Sequence, residues 1–158
     1  MKITVIAAAA ALFAAPAFAD GHASGDAEAG EAIYAKNCKS CHMIVDADGE
    51  TIVKGGRAGP NQYGLFGRVL GSQEGFRYSK GLVALGETGA VWDEPSFVAW
   101  VQDPSGYLTD QLSKRERSKM SYKLRDEQEA ADIWAYLVAV GPEVDINGDG
   151  EAEVPASN

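Results

Sequence analysis

Two cysteines and a histidine stand together in the first third of the chain, in the order Cys38-Lys39-Ser40-Cys41-His42. Cysteines three positions apart lie on one face of a helical turn, so both sulfurs can reach one edge of a flat ligand. The histidine that follows can offer an imidazole nitrogen to a metal at the centre of that ligand. In an exported protein this spacing is typical of covalent c-type haem attachment. The sequence therefore predicts thioether bonds at Cys38 and Cys41 and an iron ligand at His42.

Three other sites could use the same residues. A redox dithiol normally begins a helix in a strand-helix-strand setting, and strand-like alternation is sparse in this chain. A structural zinc ion needs four ligands, but the chain has only two cysteines and two histidines, and His22 lies in a Gly/Ala/Ser-rich stretch. A disulfide between Cys38 and Cys41 would close a very short loop and stabilise little. Haem attachment is the strongest of the four interpretations.

Residues 1–19 have the features of a cleavable signal peptide. They contain Lys2, an alanine-rich apolar run and the small-x-small end Ala17-Phe18-Ala19. We expect cleavage before Asp20, which would place the mature chain in the periplasm of a Gram-negative cell. Because no later stretch approaches about 18 uninterrupted apolar residues, we predict no transmembrane segment in the mature form.

A second axial ligand is expected on the other face of the haem, and elimination selects Met120. Once Met1 is removed, only Met43 and Met120 remain, and Met43 is bonded to His42 and cannot reach that face. The alternatives are an ordinary core role for Met120 and ligation by His22. A soft thioether ligand favours Fe(II) and gives a positive reduction potential. With both axial positions filled by protein, the sequence predicts a one-electron carrier and not an enzyme.

Charge is distributed unevenly along the chain. The formal net charge is −9, and it becomes −10 once Lys2 is cleaved away. An acidic balance of this size argues against nucleic acid as a partner. Residues 114–125 nevertheless contain six basic side chains and one acid. Because Lys119 and Lys123 flank Met120, we expect this basic segment to surround an exposed haem edge and to dock acidic partners; a merely solvated charge run is the alternative.

Several helices must position these residues. A first helix is predicted from an Asp26 cap to the cysteines, with Gly30 at a close approach to another helix. A short helix is predicted over residues 78–85, and another from Asp93 to Asp103-Pro104. Residues 105–119 are predicted as a polar, basic loop, with or without a helical turn. The last helix is predicted from an Asp126–Glu129 capping pair to Gly141-Pro142, with an apolar stripe along one face.

The length and composition fit one globular domain with short extensions. We predict a flexible N-terminus over residues 20–25, the domain over residues 26–141 and an acidic, disordered tail over residues 142–158. The tail segment 145–150 matches the first half of a calcium loop, but Ala156 occupies the position where a bidentate glutamate is needed. A disordered tail is therefore favoured over weak calcium binding.

The order of several short blocks carries a family resemblance. After the C-x-x-C-H motif come GPN-x-x-GLFGR, E-G-F-x-Y, V-W-D, K-M-x-aromatic-K-L and I-W-A-Y-L, in that order. Over residues 26–141 the chain resembles the class I cytochromes c and, more narrowly, the bacterial cytochrome c2 group. This resemblance implies an all-α, monomeric fold with three main helices, short helices and long loops around one covalently bound haem c.

The resemblance also implies roles for residues outside the attachment motif. Pro60 resembles the proline whose carbonyl accepts the proton of the axial histidine ring. Trp100 stands where the family usually has a tyrosine near the methionine sulfur, and a tryptophan can donate only through its ring N–H. Tyr122 stands at the usual haem-edge aromatic position. The residues that resemble the donors holding the buried haem propionates are Arg68, Tyr78 and Trp92.

The implied partners are membrane-bound redox complexes. A quinol-oxidising cytochrome bc complex would donate the electron, and a terminal oxidase, a photosynthetic reaction centre or a periplasmic reductase would accept it. Two other function classes stay open at this point. A haem enzyme or ligand sensor would need a vacant or labile sixth iron position, and a periplasmic thiol oxidoreductase would carry two free thiols and no haem.

Overall fold

The computed structural model describes residues 23–142, which form a mainly helical domain. The helices and strands are α1 (Ala27–Asn37), β1 (Ile44–Val45), β2 (Thr51–Val53), α2 (Lys80–Gly86), α3 (Glu94–Gln102), α4 (Pro104–Leu112) and α5 (Glu127–Ala139). The expected all-α class is confirmed, with one two-stranded antiparallel hairpin added to it. The predicted signal peptide, His22 and the tail from residue 143 onward lie outside the described residues. No helix of the described part is long and apolar enough to cross a membrane.

Helices α1 and α5 pack backbone to backbone, and Gly30 is where they come closest. Asp26 caps α1 through its side chain, as predicted. A Cβ atom on Gly30 would lie 1.9 Å from the carbonyl oxygen of Asp132 on α5. One turn later the buried ring of Tyr34 packs against that of Tyr136, with 5.6 Å between the centroids. The mid-helix glycine therefore marks a helix-helix contact, as the sequence indicated.

Helix α5 carries the centre of the hydrophobic core. Asp126 caps it by accepting from the N–H of Glu129 at 3.0 Å. Trp134 is fully buried, and its ring lies 5.3 Å from that of Phe97 on α3 and 6.1 Å from that of Phe66. The other buried members of the predicted stripe are Ala130, Ile133 and Leu137. Helix α5 thus joins α1, α3 and the loop that contains the GPN-x-x-GLFGR block.

Residues 104–112 form helix α4, so the predicted loop over residues 105–119 is wrong for its first half. Asp103 both ends α3 and caps α4, accepting from the N–H of Gly106 at 3.1 Å. Pro104 starts the helix at a position that needs no N–H donor. Leu108 is completely buried and anchors the helix in the core. The sequence did not predict this helix because its composition is mostly polar and only Pro104 and Leu108 are buried.

The hairpin was not predicted because its strands are only two and three residues long. Ile44 pairs with Val53 and Val45 with Thr51. The Asp46-Ala47-Asp48-Gly49 turn closes it, with the Asp46 side chain accepting backbone N–H bonds. Strands this short leave no alternating pattern in the sequence.

Residues 23–25 belong to the segment for which a flexible N-terminus is predicted, and they pack on the domain. The backbone N–H of Ser24 donates to the Glu94 carboxylate at 2.8 Å. A Cβ atom on Gly25 would lie 2.3 Å from the carbonyl group of Ala131. The chain is therefore attached to α3 and α5 before α1 begins.

We expect Gly30→Ala to lower the free energy of unfolding by about 3 kcal/mol, because the added methyl would meet a backbone oxygen that cannot move unless α1 and α5 separate. Guanidinium unfolding of the mature protein measures the loss. Gly81→Ala is the matched control: the atoms nearest to its Cβ, at 3.2 Å, would be side-chain atoms of Glu116 and Leu108 and not backbone atoms. The control should change stability by less than about 1 kcal/mol, and equal losses in both variants would contradict the interpretation.

Candidate functional site

Cys38, Cys41 and His42 form a tight turn at the C-terminal end of α1. Cys38 is the C-cap, and its N–H bonds to the carbonyl of Tyr34. The N–H groups of Cys41 and His42 both donate to the carbonyl of Cys38, at 3.0 and 2.9 Å. Cys38 is half-buried and Cys41 is exposed, and no disulfide joins them. The turn therefore leaves both sulfurs available for covalent attachment.

The thiol chemistry of this turn is unlike that of a redox dithiol. Burial raises the pKa of Cys38 to about 12, and the nearby Cys41 raises it further by a smaller amount. A nucleophilic cysteine needs the opposite, a pKa lowered so that the thiolate forms. Within residues 23–142 no group of three or more Cys, His, Asp or Glu side chains could hold a metal ion. These observations weigh against the thiol oxidoreductase and against a zinc site in the described part.

The His42 ring is held by the loop that follows the hairpin. Its Nδ1 lies 2.9 Å from the carbonyl oxygen of Pro60. Since a carbonyl can only accept, Nδ1 carries the proton and Nε2 keeps a lone pair for a metal. Burial lowers the pKa of His42, with the Pro60 bond opposing that shift, so the ring is neutral at neutral pH. A Cβ atom on Gly59 would lie 2.2 Å from the ring, so only glycine leaves room for the imidazole here.

Arg68 brings a partly buried positive charge to the same loop. Its guanidinium donates to the carbonyl oxygens of Tyr63 and Asn61, at 3.2 and 3.0 Å, and to the side chain of Gln73. Neither ion pair found in the described part of the chain involves it. Partial burial lowers its pKa. A partly buried cation without an acidic partner is suited to a carboxylate supplied by a ligand.

Tyr78 and Trp92 lie beside Arg68. The N–H of Trp92 donates to the Arg68 carbonyl at 2.9 Å. Burial raises the pKa of Tyr78, and the positive charge of Arg68 opposes that shift, so the two side chains are close enough to interact electrostatically. The structure thus brings together the three residues for which the sequence predicted propionate binding.

Met120 lies on the irregular segment between α4 and α5. Its N–H donates to the hydroxyl of Ser118 at 3.0 Å, and the Ser118 N–H donates to the hydroxyl of Ser105 on α4 at 3.0 Å. Further along, the N–H of Leu124 donates to the Val101 carbonyl on α3 at 2.8 Å. Met120 is partly buried and packs against the core. The segment is therefore tied to α4 before the methionine and to α3 after it.

Two aromatic residues complete the predicted set. Trp100 on α3 is 8% exposed, and its ring meets those of Trp92 and Tyr107 edge-on, at centroid distances of 5.7 and 6.1 Å. Tyr122 is 41% exposed. Its pKa is raised by partial burial and, to a smaller extent, by Cys38 and Glu129. Trp100 is therefore a core residue, whereas Tyr122 lies at the surface.

Sequence reasoning missed two residues that touch the His42 ring, Gly59 and Gln62. Gly59 could have been found, because it belongs to the glycine-rich block GPN-x-x-GLFGR. The side-chain amide of Gln62 lies 2.7 Å from His42 Nδ1. Gln62 falls at an unspecified position of GPN-x-x-GLFGR, so the sequence gives no signal for it.

A family model, related sequences and solved structures that match this chain are all cytochromes c. Residues 27–141 match the family model described as "Cytochrome c". The chain is 53% identical over 128 residues to cytochrome c-551 of Roseobacter denitrificans, a match covering 80% of this chain and 86% of the relative. It is 41% identical over 156 residues to cytochrome c-550 of Paracoccus denitrificans, covering 96% of each. A crystal structure of cytochrome c2 from Rhodobacter sphaeroides matches with a TM-score of 0.72 at 41% identity, covering 76% of this chain and 99% of the other.

We expect Arg68→Met to lower the free energy of unfolding by about 2 kcal/mol, because it leaves the partly buried carbonyl groups of Tyr63 and Asn61 without their charged donor. Arg115→Met makes the same change at an exposed position and should have little effect. Chemical denaturation of the two variants beside the unsubstituted protein tests this. A loss in Arg68→Met no larger than in Arg115→Met would show that the guanidinium does not hold the loop.

Proposed function

The chain belongs to the cytochrome c family, and from this premise we propose that it is a soluble periplasmic one-electron carrier whose haem iron is ligated by His42 and Met120. Members of this group are electron carriers and not enzymes, and this chain is an electron-transfer protein of the same kind. Its cofactor is one haem c, attached covalently through Cys38 and Cys41. What we propose is the pair of iron ligands, the periplasmic location and the redox partners.

The residues of the site fit a haem. Cys38 and Cys41 lie in one turn with His42, which suits two thioether bonds on one edge of a porphyrin. Gly59 clears the space beside the imidazole, and Arg68 is a partly buried cation with no acidic partner in residues 23–142. Arg68, with Tyr78 and Trp92 beside it, would hold the propionates. When bound, the haem supplies an iron that alternates between Fe(III) and Fe(II).

The orientation of His42 is the observation that carries the proposal. The Pro60 carbonyl fixes the proton on Nδ1 and leaves Nε2 with its lone pair for the iron. Met120 would supply a soft thioether on the opposite face, which favours Fe(II). With both axial positions filled by side chains, no position is left for a substrate. This arrangement supports electron transfer over a haem enzyme or ligand sensor.

Docking of the partners is proposed at the basic segment that carries Met120. Its exposed cationic side chains are Lys114, Arg115, Arg117, Lys119, Lys123 and Arg125. Lys119 Nζ donates to the Arg77 carbonyl, and Lys123 pairs with Asp103 at 2.8 Å, so both side chains are oriented. Half-exposed Tyr122 lies between them. Acidic surfaces on a membrane-bound cytochrome bc complex, as donor, and on an oxidase, reaction centre or reductase, as acceptor, would be attracted to this segment.

We expect Met120→Leu to abolish the weak far-red absorption band that methionine ligation gives the oxidised haem, and to lower the reduction potential, because the soft sixth ligand is lost. Met43→Leu is the matched control, since Met43 follows His42 directly and should leave the band in place. Visible spectroscopy and a redox titration of both variants decide this. Survival of the band in Met120→Leu would exclude Met120 as the ligand.

We expect the double variant Lys119→Gln/Lys123→Gln to react about tenfold more slowly with a purified quinol-oxidising cytochrome bc complex at low ionic strength, and the difference to shrink as salt is added. Glutamine is chosen because a glutamate at 123 would repel Asp103, the partner of Lys123. The double variant Lys36→Gln/Lys80→Gln removes the same charge from exposed positions on α1 and α2. Stopped-flow rates that fall equally in both variants would point to net charge alone and not to a docking segment.

A further inference from the structure

The side chain of Gln62 shares the Nδ1 atom of His42 with Pro60. The amide nitrogen Nε2 of Gln62 lies 2.7 Å from Nδ1, and the Pro60 carbonyl oxygen lies 2.9 Å from the same atom. The backbone N–H of Gln62 donates to the carbonyl of Met43, the residue after His42, at 3.0 Å. Gln62 is therefore anchored to the chain segment that carries the axial histidine. We propose that Gln62 is a positioning residue that accepts a second hydrogen bond from His42 and makes the imidazole a stronger ligand for the iron.

The direction of this hydrogen bond follows from the two partners. The Pro60 carbonyl can only accept, so Nδ1 must carry a proton. An amide NH₂ facing that N–H would place two donors against each other. The oxygen and nitrogen of a glutamine amide exchange positions by a half turn, so the partner decides which atom faces the ring. Since Nε2 occupies this position in the structure, the proposed bond requires the amide to be rotated by a half turn, so that Oε1 faces Nδ1 and the N–H is shared between two acceptors.

The opposite tautomer is incompatible with the site. With the proton on the imidazole Nε2, Gln62 could donate its NH₂ to Nδ1, but the Pro60 oxygen would then face a lone pair at 2.9 Å. The protonated Nε2 would also have no lone pair for a metal. Both partners are satisfied only when Nδ1 is the donor. Pro60 thus selects the tautomer that can bind iron, and the rotated Gln62 amide accepts from the same N–H.

The consequence concerns the ligand strength of His42 and rests on the proposed function. Acceptors on the outer ring nitrogen raise the basicity of the metal-bound nitrogen. A second acceptor shifts the imidazole further toward the imidazolate, which donates more strongly to Fe(III) than to Fe(II). The protein should therefore have a lower reduction potential than it would have with an apolar residue at position 62. Gln62 offsets part of the positive potential that a thioether ligand gives.

The test uses the haem-loaded mature protein and three variants. Gln62→Leu removes the acceptor, and Gln62→Glu keeps an oxygen acceptor on a side chain of the same length. Gln111→Leu repeats the first substitution at an exposed position of α4 and serves as the control. The readouts are the NMR resonance of the His42 Nδ1 proton in the reduced protein and the midpoint potential.

We expect the Nδ1 proton resonance to move upfield and the potential to rise in Gln62→Leu, because one acceptor is lost. In Gln62→Glu the resonance should stay at or downfield of its original position, and Gln111→Leu should leave both readouts unchanged. An unchanged Nδ1 resonance in Gln62→Leu would overturn the proposal even if the potential rises, since an apolar side chain beside the haem raises the potential by itself. Gln62→Met gives the same test if the leucine variant does not load haem.

The outcome is separable from that of the proposed function. The far-red methionine band of the unsubstituted protein reports His/Met ligation and does not involve Gln62. If that band is present and the Nδ1 proton resonance is unchanged in Gln62→Leu, only the role of Gln62 is refuted. If the band is absent, the proposed ligand pair itself is refuted.

Discussion

The hydrogen bond between His42 and the Pro60 carbonyl is the contact on which the site depends. It joins the turn at the end of α1 to the loop over residues 59–68, 18 positions further along the chain. Because it fixes the imidazole tautomer, it decides whether Nε2 can bind a metal at all. The same loop then places Arg68, whose carbonyl in turn holds Trp92. The orientation of His42 and the position of Arg68 are therefore set by one continuous segment.

The helices fix the positions of the cysteine turn and of the segment that carries Met120. Gly30 lets α1 lie directly on α5, and this contact positions the cysteine turn at the end of α1. Helix α5 packs on α3 through Trp134 and Phe97, and α3 holds the segment after Met120 through Val101. Ser105 on α4 holds the segment before it. The methionine is thus fixed by helices, although it lies on none of them.

Positive charge occurs in two different environments in this molecule. The Arg68 guanidinium is partly buried and bonded to carbonyl groups, where a neighbouring carboxylate would be strongly favoured. The cations of residues 114–125 are exposed, and their ion pairs are worth little for stability in water. Such exposed charges act at longer range and influence encounter with a partner more than folding. Burial therefore separates an arginine suited to the carboxylate of a ligand from cations suited to long-range attraction.

The sequence alone determined the features that depend on neighbours in the chain: the attachment spacing of Cys38, Cys41 and His42, the capped ends of α1, α3 and α5, and Met120 as the one methionine free to reach the opposite face. Tertiary structure decided what depends on residues far apart. Helix α4 was missed because Asp103-Pro104 both ends α3 and starts α4, and the sequence alone indicated only the ending. Gln62 was missed because a hydrogen-bond partner 20 positions away leaves no local pattern. Residue spacing predicts short-range geometry. The contacts of His42 with Pro60 and Gln62 form only after the chain has folded back on itself.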